Sequence, residues 1–396
     1  MRQYESYKDS GVEWIGKIPS HWGKCRFKNF ADLITVPSSS SRKIGLENIE
    51  SKTGRFISTD SEFDGNGVAF SINDVVYGKL RPYLQKVWLA EFEGNAVGDF
   101  FVYRSKPNCI PKYLHYLMLS DGFTSECNGA TFGAKMPRVP SNFIESLRYY
   151  LPPVKEQQEM ISYLDEKTSR IDHIIKSREE KIKLLEELRT SVISHAVIEG
   201  IRKNVEMKDS GIDWIGKIPK HWEVRKLKYI ARLQSGDTIP PSMFTDDGYP
   251  VYGGNGFRGY TNKYNNEGKH ILIGRQGALC GNINYADGKF FASEHAVVVY
   301  PHNKENLSWL GELLRVSNLN QYSTSAAQPG LAVSTIINIS FPYPPKEERD
   351  EIADYIDKKT YAISASINKA QNEISLLKEY RASLITEVVT GKRKVI

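Results

Sequence analysis

The chain has 396 residues, 40% of them hydrophobic and 11% aromatic, which fits a globular protein of two or three domains and excludes a disordered one. Its net charge of +6 excludes the charge density of a histone-like polyanion binder and leaves only modest bulk attraction for nucleic acid. The cysteines (Cys25, Cys109, Cys127, Cys280) form no CxxC pair, the charged start MRQYESYKDSG lacks the apolar core of a secretory signal, and no run of about 18 apolar residues occurs; neither a disulfide framework, a zinc site nor a membrane span is expected, and a cytoplasmic location is.

The first element is a frame segment within 1–22, KDSGVEWIGKIPSHW at 8–22. It recurs as KDSGIDWIGKIPKHW at 208–222, with twelve of fifteen positions identical. Trp14, Ile15, Ile18 and Trp22, with their twins Trp214, Ile215, Ile218 and Trp222, read as anchors. His21 and His221 have no carboxylate or cysteine at metal spacing and read as structural hydrogen-bonding groups.

An insert at 23–150 follows, with short β-like runs such as VAFSINDVVYGKLRPYLQKVWLAEFEG and DFFVYRS broken by turn residues. A helix is predicted over 110–123. The stretches YGKLRPY (77–83) and GATFGAKMPRVP (129–140) place Lys79, Arg81, Tyr83, Lys135 and Arg138 among glycines, a setting suited to phosphate and base-edge contact.

The region 151–206 opens with LPPVKEQQEMISYLDEKT, and Leu164, Ile171, Ile175, Ile182, Leu185 and Val192 then fall at steps of seven, four, seven, three and seven. That is an a/d stripe on a helix of about 40 residues, roughly 60 Å long. Pro152 and Pro153 precede its start and Gly200 marks its stop. DEK at 165–167 and EEK at 179–181 resemble fragments of a nuclease motif but fall on the polar faces.

The second copy runs as frame and insert over 207–343 and helix over 344–396. Its insert is again rich in short strand-like runs, with a helix predicted over 306–319. Candidate contacts there are Arg258, Lys263, Arg275, Gln276, His295 and Gln328. GNGFRG at 254–259 fits G-x-G-x-x-G, but turn and strand material follows it where a dinucleotide site needs a helix. The helix opens with YPPKEERDEIADYIDKKT at 343–360 and repeats the spacing at Ile356, Ile363, Ile367, Ile374, Leu377 and Leu384, with Gly391 as its stop. Each stripe either pairs with its twin, antiparallel, or packs on its own globular neighbour. The two inserts show no convincing similarity over most of their length.

The expected fold is therefore α+β: two globular α/β domains separated by two long antiparallel coiled-coil helices, in a pseudo-two-fold internal duplication. No P-loop and no catalytic constellation is present in the sequence.

On the duplicated KDSG-[VI]-[ED]-WIGKIP-x-HW, the duplicated PP-x-x-E helix entry and the run ILIGRQGALCGNINY, the whole chain resembles the specificity subunit of a Type I restriction-modification system. The resemblance implies that the inserts are target-recognition domains, each reading one half of a bipartite, asymmetric site in double-stranded DNA. It implies that the helices set the gap between half-sites. It further implies two modification subunits using S-adenosylmethionine, restriction subunits using ATP and Mg, and no cofactor or catalysis in this chain. A non-catalytic coiled-coil scaffold with two protein-binding heads is the alternative.

Overall fold

The computed structural model describes residues 4–395 apart from 39, 278, 304 and 324–329. It divides into two units: Met1–Glu179 with Gln371–Ile396, and Glu180–Ala370. Two long helices, Val154–Ile198 (45 residues) and Lys346–Val389 (44 residues), each contribute one part to either unit. At 1.5 Å per residue each is about 67 Å long, slightly beyond the sequence-based expectation.

In the first unit the frame segment is a hairpin of Tyr7–Asp9 and Lys17–Pro19. Several of the repeated residues have a clear task there. Lys8 Nζ donates to the Trp22 carbonyl at 2.7 Å, and Asp9 Oδ1 accepts the Gly11 N–H at 2.8 Å. Gly11 and Gly16 take φ of 66° and 65°, a region costly for residues with a Cβ. The second unit reproduces this: Lys208 Nζ reaches the Trp222 carbonyl at 2.6 Å, Asp209 the Gly211 N–H at 2.8 Å, and Gly211 and Gly216 have φ of 72° and 71°.

The hairpin docks on the first turn of a long helix. Trp22 is fully buried, its indole N–H donates to both Glu156 oxygens at 3.2 Å, and His21 and the Tyr4 hydroxyl bond the same carboxylate. In the second unit the Trp222 indole donates to Glu348 Oε2 at 2.6 Å, His221 lies 2.9 Å from Oε1, and Arg202 adds an ion pair at 2.7 Å. Glu156 and Glu348 are the glutamates of the two PP-x-x-E entries. The glycines that stop the helices lie against these same tryptophans. A Cβ on Gly200 would stand 3.0 Å from Trp222, and one on Gly391 2.9 Å from Trp22.

Within the first unit the helices run antiparallel, since Asp172 meets Arg381 at 3.1 Å while Arg178 meets Glu373 at 2.7 Å. Arg55 joins Asp172 at 2.6 Å, tying a loop of the insert to both helices. Of the predicted stripe, Leu164, Ile171, Ile175, Ile374 and Leu384 are buried here and Leu377 is half-buried. In the second unit Ile356 and Ile363 are buried, while Ile182, Leu185, Val192 and Ile367 are half-buried. The stripe also serves the globular parts: Ile356 shares a core with Trp222, Trp309 and Phe341. Pairing with the twin and packing on the neighbouring domain thus coexist.

The inserts share a topology that their sequences conceal. The first has an antiparallel four-stranded sheet in the order Ala31–Ile34, Phe100–Ser105, Val75–Gly78, Val87–Leu89. The second has Ala231–Ser235, Ala296–Pro301, His270–Gly274, Ile283–Ala286 in the same order and sense. Each insert adds a second sheet with one parallel pair, Lys43–Ile44 with Gly94–Ala96 and Tyr249–Gly253 with Lys289–Ala292. The helix predicted over 110–123 is broken in two, Pro111–Leu119 and Asp121–Gly129, because Ser120 is extended (φ −67°, ψ 146°) and caps the second helix from its side chain. That predicted over 306–319 is Leu307–Val316, capped by Asn306.

His115, on the helix Pro111–Leu119, is buried within the first insert with Nε2 3.2 Å from the Val87 carbonyl. Burial pushes its ring down to about 4, partly opposed by that carbonyl. The unfolded chain then takes up a proton below the ordinary histidine value near 6.5 that the folded chain refuses, so stability is full above that pH and falls as pH drops toward 4. His115→Asn is expected to flatten urea-unfolding stability across this window; an unchanged slope contradicts the assignment. Replacing Glu348 by Ala strands the buried Trp222 N–H and is expected to cost about 2 kcal/mol in the same measurement. A loss below about 0.5 kcal/mol contradicts a docking role.

Candidate nucleic-acid interface

Both inserts build the same junction. In the first unit the chain leaves the strand Val75–Gly78 into Lys79, Leu80 and Arg81. This segment pairs with the stretch before the short helix Ser141–Ser146: the Val139 N–H donates to the Lys79 carbonyl at 3.2 Å, the Arg81 N–H to the Pro137 carbonyl at 2.8 Å, and Leu80 bridges Arg138. In the second unit the strand His270–Gly274 leads into Arg275 and Gln276. The Leu331 N–H donates to the Arg275 carbonyl at 2.9 Å, and Gln276 bridges Gly330. The same mount therefore carries Lys-Leu-Arg in one head and Arg-Gln in the other.

In the first head, Arg81 is exposed in a left-handed conformation (φ 50°), a strained choice for a residue with a side chain. Tyr83 is exposed in the short turn that follows. Arg138 does not present a free charge. Its Nε and Nη2 hold both oxygens of Asp99 at 2.8 and 2.9 Å, and Lys79 lies 4.0 Å from the same carboxylate. The hydrogen bonds from Arg138 hold Asp99 below the usual carboxylate range. Arg138 thus orders the hairpin 132–138, closed by reciprocal bonds between Phe132 and Arg138 at 3.1 Å, while Lys135 on that hairpin is exposed.

In the second head Arg275, Gln276 and His295 converge. The Arg275 N–H donates to the His295 carbonyl at 2.9 Å, and the Arg275 guanidinium reaches Ser235 Oγ at 3.4 Å. The turn 253–256 packs directly on them: a Cβ on Gly274 would meet the Gly254 carbonyl at 2.2 Å, so only glycine fits. His295 pairs with Glu294 at 3.1 Å. Arg258 is exposed on the strand Gly256–Thr261, which confirms GNGFRG as hairpin rather than a helix entry. Lys263 is exposed just beyond that strand. Gln328 lies outside the described residues. Sequence reasoning missed Asp99 and Glu294, which engage Arg138 and His295, and the exposed apolar Phe132, Met136, Phe257 and Leu279. Only their seats in the glycine-rich loops hinted at them.

Among the described residues no group of three or more His, Cys, Asp or Glu is placed to hold a metal ion. No helix among them is long and apolar enough to cross a membrane. The four cysteines are free; Cys25 is half-buried and the others buried.

Two α+β domains of one topology, each mounted on its own copy of a repeated frame and carrying different side chains at an equivalent junction, define a two-headed, internally duplicated fold. Residues 219–376 match the family model of the Type I restriction modification DNA specificity domain. The chain is 47% identical over 110 residues to the Type I restriction enzyme EcoprrI specificity subunit of Escherichia coli, covering 28% of this chain and 27% of that one. It is 24% identical over 313 residues to the MjaVIII specificity subunit of Methanocaldococcus jannaschii, covering 72% and 70%. A solved structure of a Type I restriction-modification system, described for its complex assembly and conformational transition, has the same fold: TM-score 0.76 at 18% identity, over 94% of this chain and 98% of that one. The chain is thus similar to Type I restriction-modification specificity subunits: residues 219–376 match the specificity-domain model, and the similarity to one such subunit extends over 72% of the chain.

Arg138→Ala and Asp99→Asn are both expected to speed proteolytic nicking within 132–138, and Lys135→Ala to leave it unchanged. Equal protection in all three contradicts the ordering role of the Arg138–Asp99 pair.

Proposed function

We propose that this chain is the non-catalytic, sequence-specific DNA-binding subunit of a Type I restriction-modification complex. Each head reads one half of a bipartite, asymmetric site in double-stranded DNA, and the long helices set the gap between the halves. The observation that carries this reading is the equivalent junction furnished with different side chains, Lys79 and Arg81 in one head and Arg275 and Gln276 in the other. Arg and Gln make bidentate contacts with guanine and adenine edges, whereas the Lys contribution is chiefly to phosphate.

The partners are modification and restriction subunits in the cytoplasm, and S-adenosylmethionine, ATP and Mg belong to them. Two modification subunits fit an apolar pair repeated on the helices. Leu184 and Leu188 are exposed in the second unit, and Leu376 and Tyr380, their equivalents at an offset of 192, in the first. Residues four apart share a helix face and suit a partner helix. The modest net charge implies weak DNA binding by the chain alone and much tighter binding in the complex.

Methylome sequencing of a host expressing the chain with its neighbouring methyltransferase tests the reading. A bipartite methyl-adenine motif that depends on this chain is the expected result; its absence from an assembled complex favours the scaffold alternative. Leu184→Glu with Leu188→Glu is expected to remove one of two modification subunits, seen as a 1:1 species by native mass spectrometry. Retention of both contradicts the two-seat assignment.

A further inference from the structure

The hairpin 132–138 has features that a hydrogen-bonding reader does not need. Between its paired ends, Gly133, Ala134, Lys135, Met136 and Pro137 offer a single side-chain donor, Lys135. Phe132 is 62% exposed and Met136 45%, although both are large apolar groups that folding normally covers. Their mount is stiff. Phe132 and Arg138 exchange backbone hydrogen bonds at 3.1 Å, Arg138 is clamped on Asp99, and the Arg81 N–H holds the Pro137 carbonyl at 2.8 Å. Gly133, at φ 91°, makes the turn. Cations flank the apolar tip: Lys135 on the hairpin and Arg81 on the segment it pairs with, both exposed.

We propose that Phe132 and Met136 form an apolar wedge that enters the duplex between adjacent base pairs, unstacking one step of the half-site read by the first head. This rests on the DNA-reading function proposed above. Charge complementarity identifies the occupant: exposed apolar side chains bracketed by cations fit stacked bases bracketed by phosphates. Cations carried beside so small an apolar tip suit a polyphosphate backbone better than a protein surface. The wedge gives sequence preference without base-edge contact, because pyrimidine–purine steps unstack most easily. Asp99 matters by holding the hairpin base rigid while leaving Lys135 free.

The test uses the full chain assembled with its methyltransferase and a duplex carrying the site found by methylome mapping, with 2-aminopurine at successive positions. The expected result is a rise in fluorescence at one step of the first half-site. Phe132→Ala with Met136→Ala is expected to return that signal to the free-duplex level and weaken binding about tenfold. Phe132→Leu is expected to keep much of the signal. Lys135→Ala is expected to weaken binding in a salt-dependent way while preserving the signal. Both apolar groups are exposed, so their truncation is not expected to unfold the head. A wild-type complex that methylates its site with no fluorescence rise overturns the wedge and leaves the DNA-reading function standing. So does a double variant that keeps the full signal, or one whose defect is failure to bind the methyltransferase. A wild-type complex that methylates nothing overturns the DNA-reading function, and the wedge falls with it.

Discussion

A buried indole N–H needs an acceptor, and in both units of this protein it finds one on the first turn of a long helix. Trp22 on Glu156 and Trp222 on Glu348 join hairpin to helix at the point where the insert has just returned to the frame. The carboxylate sits where a helix N-terminus favours negative charge, and the indole, the neighbouring histidine and, in the second unit, Arg202 surround it. Losing the carboxylate would leave a buried donor unsatisfied rather than merely remove a bond, which makes the arrangement hard to replace piecemeal. The repeated stretch is the residue list that this joint requires: lysine for the tryptophan carbonyl, aspartate and two glycines for the turn, tryptophan and histidine for the carboxylate.

On this joint the two inserts solve the same problem differently. Both surround the strand that ends in Gly78 or Gly274 with the same sheet order, and both press a loop from before the final strand against the segment that leaves it. Inside, the solutions diverge. Arg349 is buried against Glu305 at 3.0 Å beneath Trp309 and Tyr343, whereas the equivalent Gln157 meets the backbone of Ile110, Asn108 and Pro152. A buried ion pair is retained only when both partners are present, and loss of either one costs far more than loss of both. The frame is held constant while the interior and the loops of each head are free to differ.

What the sequence made legible follows from this physics. The frame and helices are written in residue-specific terms, such as positive-φ glycines, a proline pair and apolar steps of seven and four, and these survive as readable repeats. The shared topology of the inserts was hidden because strand pairing uses backbone groups, so Val75–Gly78 and His270–Gly274 need nothing in common but a β-compatible pattern and a closing glycine. At the candidate interface the residue types were visible and their engagements were not. Arg138 is spoken for by Asp99, thirty-nine positions away in sequence, and His295 by its neighbour Glu294. Phe132 and Met136 were overlooked because exposure cannot be read from a pattern in a loop.

The central claim is that frame and reading head are separable, and that each head reads one half of the site. Exchanging residues 23–150 for the insert of a Type I specificity subunit, then mapping adenine methylation in a host that also supplies the methyltransferase, tests it most directly. The account predicts a bipartite motif in which one half changes and the other half is retained. A motif changed in both halves, or left unchanged in both, would contradict it.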